Sequence, residues 1–149
     1  MNILIQDLKV WQVREAAEIV REIWGNEPAE KVIDEMNEMF GKSKFPPHYF
    51  VALDDLQIVG FTGLRTCLIF PDTYECIWIN VKPEYQGRGI GRLLNEARLN
   101  KIKELGGNVT WVMTKNLKFF GSFGFLSIRE YDDGWHLMEL KTGEVKFTN

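Results

Sequence analysis

The chain is poor in the residues that build reactive centres on their own. Cys67 and Cys76 are its two cysteines and are too few for a disulfide framework, and with two histidines no Cys/His spacing suggests zinc. No metal is expected. No apolar run approaches the length that crosses a bilayer, and Met1-Asn2-Ile3 opens no signal-peptide pattern, so a cytoplasmic protein with no membrane partner is expected. Positive charge is not in excess either. A net charge of −3 argues against nucleic acid as the main partner, because phosphate neutralisation needs a basic face. No linker, repeat or low-complexity segment interrupts the chain. What is present is ordinary: 149 residues, 45% apolar and 26% charged, suit a single domain over 1–149 with a real core.

The most informative stretch runs from Ile77 to Leu94. Ile77-Trp78-Ile79-Asn80-Val81 reads as a buried strand. Pro83 ends it, because proline has no N–H to give to a ladder. Gly87, Gly89 and Gly91 then alternate with Arg88 and Ile90, and helical spacing resumes through Ile90, Leu93, Leu94 and Ala97. Glycine permits close backbone approach and φ > 0. The first amides of a helix lack internal partners and sit at the positive end of its dipole. Arg88 and Arg92 add full charge beside them, so the expected guest is a phosphate or pyrophosphate. Two familiar phosphate loops do not fit. The Gly-Lys-Ser/Thr of a Walker loop is missing, and counting G-x-G-x-x-G from Gly87 puts Arg92 at the third glycine. No acidic residue closes a second strand about 20 residues on.

The rest of the chain reads as alternating short elements. Residues 2–6 form a first strand, and Val13, Ala16, Ala17, Val20, Ile23 and Trp24 share one helix face. Gly25-Asn26 breaks that helix. Pro28 opens a second one, with Val32, Met36, Met39 and Phe40 as its apolar face and Gly41 as its C-cap. Tyr49–Leu53 and Gln57–Leu64 make a hairpin across Asp54-Asp55, where Gly60 and Gly63 mark bulges or close approaches. Pro71-Asp72 turns the chain into the strand from Tyr74 to Val81. A helix over residues 90–105 ends at Gly106-Gly107. A strand over Val109–Met113, a short helix from Lys115 to Ser122, and two strands joined by Asp132-Asp133-Gly134 complete the order β-α-α-β-β-β-α-β-α-β-β.

Two motifs carry a resemblance. Gln86-Gly87-Arg88-Gly89-Ile90-Gly91 matches Q/R-x-x-G-x-G/A residue for residue and closely resembles the acyl-coenzyme A pyrophosphate loop of the GNAT family of N-acetyltransferases. Phe119-Phe120-Gly121-Ser122-Phe123-Gly124-Phe125 is similar to the family's F-Y-x-x-x-G-F, and together they extend the likeness over roughly residues 45–140. The resemblance implies an α/β GNAT fold, a central mixed but mostly antiparallel sheet flanked by helices. It implies acetyl-CoA as acyl donor and an amine as acceptor, with the first helical pair covering one side of the acceptor pocket.

Family resemblance also assigns roles to residues. The coenzyme's pantetheine arm pairs like a strand with the backbone of Ile79, Asn80 and Val81, where a backbone N–H serves the oxyanion. Gln86, Gly87, Arg88, Gly89, Ile90, Gly91 and Arg92 hold the pyrophosphate. Asn116 either contacts coenzyme or caps the following helix. Glu75 stands eleven positions before Gln86, where histone-acetylating members carry their general base. Beside Tyr74 and Trp78 its carboxylate is expected to be partly desolvated, with its pKa raised. The alternative is an exposed strand-end glutamate. His48 and His136 are either relays or packing residues. One position departs from the family: its usual general acid, a tyrosine beside the coenzyme, is Phe120 here, which the resemblance still places among the coenzyme-binding residues. The sequence therefore supports an acetyl-CoA-dependent N-acetyltransferase acting on a small-molecule or peptide amine, alongside a second reading as a non-catalytic acyl-CoA-binding or protein-interaction module. A third, acylation of aminoacyl-tRNA, wants a cationic surface that the composition lacks. A homodimer is left open.

Overall fold

In the computed structural model, which describes residues 1–143, the elements follow the expected order. They are β1 (Ile3–Asp7), α1 (Val13–Trp24), α2 (Asn26–Asn37), β2 (His48–Asp54), β3 (Gln57–Thr66), β4 (Thr73–Val81), α3 (Ile90–Glu104), β5 (Val109–Thr114), α4 (Leu117–Gly121), β6 (Leu126–Glu130) and β7 (His136–Lys141). The strands form a seven-stranded sheet in the order β1-β2-β3-β4-β5-β7-β6. Pairing is antiparallel for β1–β2, β2–β3, β5–β7 and β6–β7 and parallel for β4–β5. That is the mixed, mostly antiparallel GNAT arrangement expected. The chain divides into two units, Met1–Arg65 with Ile77–Arg98, and Thr66–Cys76 with the residues from Leu99 onward.

In the first unit, α1 and α2 bury their apolar faces against β2 and β3. Ala16, Ala17 and Ala29 are fully buried, and such small side chains let the two helices approach closely. Val20, Val32 and Met36 pack there with Tyr49, Val51 and Phe61. The expected faces of both helices hold except at their ends. Trp24, the last residue of α1, is 63% exposed, and Phe40, which lies beyond the end of α2, is 41% exposed. Gly41 does not cap an α-helix. α2 stops at Asn37, a 3₁₀ turn follows over Glu38–Phe40, and Gly41 leaves it in an extended conformation at φ −89°. The β2–β3 register slips between Ala52 and Leu53, opposite Gly60 and Ile58. Gly60 and Gly63 are both sites of close approach. A Cβ on Gly60 would stand 3.0 Å from the Asn80 carbonyl oxygen, and one on Gly63 would stand 2.6 Å from the Tyr49 ring.

In the second unit, the Phe119–Phe125 motif forms an aromatic cluster. Phe120 packs edge-on against both Phe119 and Phe125, with ring centroids 5.0 and 5.4 Å apart. Gly124 reverses the chain at φ +96°, which only glycine adopts without strain. The helix before the motif is shorter than expected: α4 starts at Leu117 because Asn116 occupies the cap position and its side chain accepts the Phe119 amide.

The glycine at 63 is a packing requirement. Gly63→Ala should cost about 1–3 kcal/mol, since Tyr49 is wholly buried and cannot step aside. Thermal unfolding should show a clear drop in midpoint, and an unchanged midpoint would mean that the Tyr49 ring has room to move.

Candidate active site

The site begins with a fault in β4. Its parallel ladder with β5 runs from Thr73 opposite Val109 to Cys76 opposite Val112, while β4 itself continues to Val81. Just past that point the alternation of the strand breaks. Ile77 and Trp78 both pack against the same α1–α2 core, although neighbours on a strand should face opposite ways. The backbone reason is Trp78, which sits at φ +49°. A bulky non-glycine residue in the left-handed region costs about 1–3 kcal/mol and persists only where its surroundings over-determine it.

Those surroundings are well defined. The Trp78 indole N–H donates to Glu35 Oε2 at 2.5 Å, fastening the side chain to α2. Its carbonyl accepts from Thr62 Oγ1 at 2.5 Å and from Arg98 Nη1 at 3.2 Å. Two residues on, Asn80 Oδ1 accepts the Trp24 indole N–H at 3.0 Å. β4 then ends in a 3₁₀ turn, and Gln86 Nε2 donates to the Val81 carbonyl at 3.0 Å.

The glycine loop follows directly. Gly87 and Gly89 take φ +77° and +83°, and a Cβ on either would meet nothing within 4 Å. Both glycines are therefore required for conformation, with open space beyond them. The Leu93 amide closes onto the Gly89 carbonyl at 3.2 Å, so the loop amides before it precede the first internal bond of α3. Arg88 lies over the Tyr85 ring at 5.2 Å, and Arg92 pairs with Glu96 at 3.5 Å. The Tyr85 hydroxyl donates to Asp54 Oδ2 at 2.8 Å, and that bond raises its pKa. The strand end, two exposed glycines at positive φ and two exposed arginines thus lie in one short run before and into α3.

In the second unit, Glu75 pairs across the ladder with Trp111, and Trp111 pairs with Glu139, so the three share one sheet face. Glu75 is half-buried, the third residue of β4. The Trp111 indole N–H donates to Glu139 Oε2 at 2.8 Å. Phe120 is 3% exposed, enclosed by its phenylalanine neighbours. The two histidines are engaged locally. His48 Nε2 meets Asp7 Oδ1 at 2.9 Å, and His136 Nδ1 meets Ser127 Oγ at 2.7 Å. Among the described residues, no group of three or more His, Cys, Asp or Glu could hold a metal ion, and no helix is long and apolar enough to cross a membrane.

The model of the acetyltransferase (GNAT) family matches residues 11–125. The chain belongs to the acetyltransferase (GNAT) family. Its fold recurs in solved GNAT structures at low identity. A putative GNAT acetyltransferase from Desulfovibrio desulfuricans is 17% identical, with 95% of this chain and 100% of that one aligned at a TM-score of 0.84. The PaiA N-acetyltransferase of Thermoplasma acidophilum, solved with coenzyme A, is 21% identical over 95% of this chain and 99% of that one, at a TM-score of 0.76. The ribosomal-protein-S18-alanine N-acetyltransferase of Escherichia coli is 17% identical over 97% of each chain, at a TM-score of 0.76. No curated protein matches the sequence.

Four residues of this GNAT chain escaped the sequence reading: Glu35, Tyr49, Trp78 with its left-handed backbone, and Arg98. Glu35 and Arg98 sit in helices, where charged residues are usually solvated, and nothing local marks them. Tyr49 read simply as part of a strand. It is fully buried, and its hydroxyl finds no partner among the described residues. Burial, reinforced by the negative charge of Glu35, pushes its pKa far above the ordinary tyrosine value.

A raised tyrosine pKa keeps the phenol protonated in the fold after the unfolded chain has ionised. Its contribution to stability is complete below about pH 10 and is lost as pH rises beyond that. Tyr49→Phe removes an unpaired hydroxyl, so the variant should equal or exceed wild type by up to about 1–3 kcal/mol at neutral pH. It should also lose stability less steeply above pH 10. Urea unfolding at both pH values checks this, and a destabilised Tyr49→Phe would mean that the hydroxyl has a hidden partner.

Proposed function

We propose that this chain transfers an acetyl group from acetyl-CoA to a primary amine of a small molecule or peptide. The observation that carries the reading is the loop at the start of α3, where Gly87 and Gly89 both hold positive φ beside open space and two arginines flank them. That arrangement suits a pyrophosphate, and the coenzyme A complex of the Thermoplasma relative supports the same guest. Gln86 to Arg92 take the pyrophosphate in this reading. The backbone of Ile79, Asn80 and Val81, beyond the end of the β5 ladder, takes the pantetheine arm. Asn116 turns its carbonyl oxygen to the α4 cap and keeps its amide nitrogen for coenzyme.

Acetyl transfer needs a neutral amine and a polarised thioester. Glu75 takes the amine proton, and the Ile79 amide stabilises the oxyanion as the amine nitrogen bonds to the carbonyl carbon. The carbon–sulfur bond then breaks and the thiolate leaves. Phe120 has no proton to offer it. Glu75 and Glu139, sharing a face with Trp111, favour a cationic acceptor. A sequence with two cysteines, too few for a disulfide framework, and the coenzyme requirement fit a cytoplasmic setting. The phenylalanine at 120 favours one other reading, an acyl-CoA-binding module without turnover. Binding with no acetylated product from any amine would select it.

Acetyl-CoA at about 100 times its dissociation constant should stabilise the protein by roughly 2.7 kcal/mol. Gly89→Val should lower the unliganded midpoint, since valine is strained at φ +83°, and should abolish the gain measured from its own baseline. A wild-type protein whose melting ignores millimolar acetyl-CoA contradicts the reading.

The pH–rate profile tests the chemistry. If Glu75 is the base, Glu75→Gln should lower turnover by about 10²–10⁴-fold near neutral pH, the deficit shrinking as the amine deprotonates unaided. With phenylalanine at 120 and the Tyr85 hydroxyl committed to Asp54, the wild-type rate should rise to a plateau without falling below about pH 9.5. A loss equal at every pH would make Glu75 structural. A falling limb removed by Tyr131→Phe would identify a displaced acid.

A further inference from the structure

We infer that Arg98 is a positioning residue for acetyl transfer, acting with Thr62 to fix the direction of the Ile79 amide. The inference rests on the coenzyme reading above and extends it. Arg98 is only 1% exposed, and Thr62 is wholly buried. Burying a guanidinium this deeply is costly, and an apolar side chain of similar volume would fill the space without that cost. What arginine adds is a rigid fork of donors. Asn95 Oδ1 accepts two of them, from Nε at 3.1 Å and Nη2 at 2.6 Å, which fixes the plane of the fork. The remaining nitrogen, Nη1, is thereby aimed at β3 and β4. It reaches Thr62 Oγ1 at 2.6 Å, the Trp78 carbonyl at 3.2 Å and the Gly63 carbonyl at 3.3 Å.

The consequence follows from peptide geometry. Among the described residues no peptide bond is cis, so the Trp78 carbonyl and the Ile79 N–H point to opposite sides of their peptide bond. Thr62 and Arg98 hold that carbonyl toward α3, so the Ile79 N–H must project away from them. Trp78 at φ +49° would relax to an extended conformation if its carbonyl were released, and the amide would swing with it. The clamp touches neither coenzyme nor acceptor. It acts through the one peptide that the proposed chemistry uses.

The test uses full-length Thr62→Val, Thr62→Ser and Arg98→Lys, each ¹⁵N-labelled and saturated with acetyl-CoA. In wild type, the amides of 86–91 and of Ile79 should all shift. In Thr62→Val and Arg98→Lys, the loop shifts should persist while the Ile79 response is lost. Turnover should fall at least about 10-fold with KM for acetyl-CoA unchanged. Thr62→Ser, which restores the hydroxyl, should behave as wild type. If Thr62→Val keeps the Ile79 response and its turnover, or if Thr62→Ser fails as badly as valine, the clamp has no positioning role. Should Arg98→Lys not fold, the valine and serine pair decides alone. A wild-type loop that does not respond at 86–91 overturns the coenzyme reading and this inference together, whereas loop shifts with an unresponsive Ile79 overturn only the inference.

Discussion

The backbone of Trp78 is the constraint on which the proposed site depends. A strand that kept its alternation would send Trp78 to the opposite face from Ile77, and here both face the α1–α2 core. The left-handed φ at Trp78 is unfavourable by itself, so it survives because three groups hold it: Glu35 on the indole, and Thr62 and Arg98 on the carbonyl. Each comes from a different element. α2, β3 and α3 therefore meet at one residue, and the packing of these elements is also the means by which a short run of β4 backbone is shaped. The glycine loop starts six residues beyond that run, fastened to it by Gln86 on the Val81 carbonyl.

Much of this architecture was legible in the chain. The order of elements and the glycine-rich turn follow from periodicity, proline and glycine, because those signals are local and the fold agrees with them, while the mixed sheet was implied by the family resemblance. Gly87 and Gly89 take positive φ, and Gly60 and Gly63 prove to be close approaches. What could not be read was set by tertiary contact. The indole of Trp24 is drawn to Asn80, 56 positions away in sequence, and α2 tightens into a 3₁₀ turn before Gly41. Trp78 sits in a run of β-branched and aromatic residues that promises a regular strand. Glu35 on α2 and the buried donors on β3 and α3 reverse that expectation, and they lie 43, 16 and 20 positions away in sequence.

Chemistry and packing divide the charged residues differently from their appearance in sequence. His48 and His136, natural candidates for proton transfer, are tied to Asp7 and Ser127 on the sheet. Arg98, on a helix with several other charged residues, is among the largest buried side chains. The absence of a tyrosine at 120 gains a structural meaning as well. Phe120 belongs to a four-ring cluster with Phe119, Phe123 and Phe125, where a hydroxyl would need a partner that these rings cannot supply. Acetyl transfer in this chain would rely on position and on a fixed amide dipole more than on a proton donor at the leaving group.

A crystal structure of the protein with bound coenzyme A tests the central claim most directly. The account predicts the pyrophosphate over the amides of residues 86–91 and the pantetheine arm paired with Ile79 to Val81. It also predicts Trp78 unchanged in its left-handed conformation, with its carbonyl still on Thr62 and Arg98. Coenzyme bound elsewhere, or a Trp78 that relaxes to an extended conformation when the site fills, would contradict it.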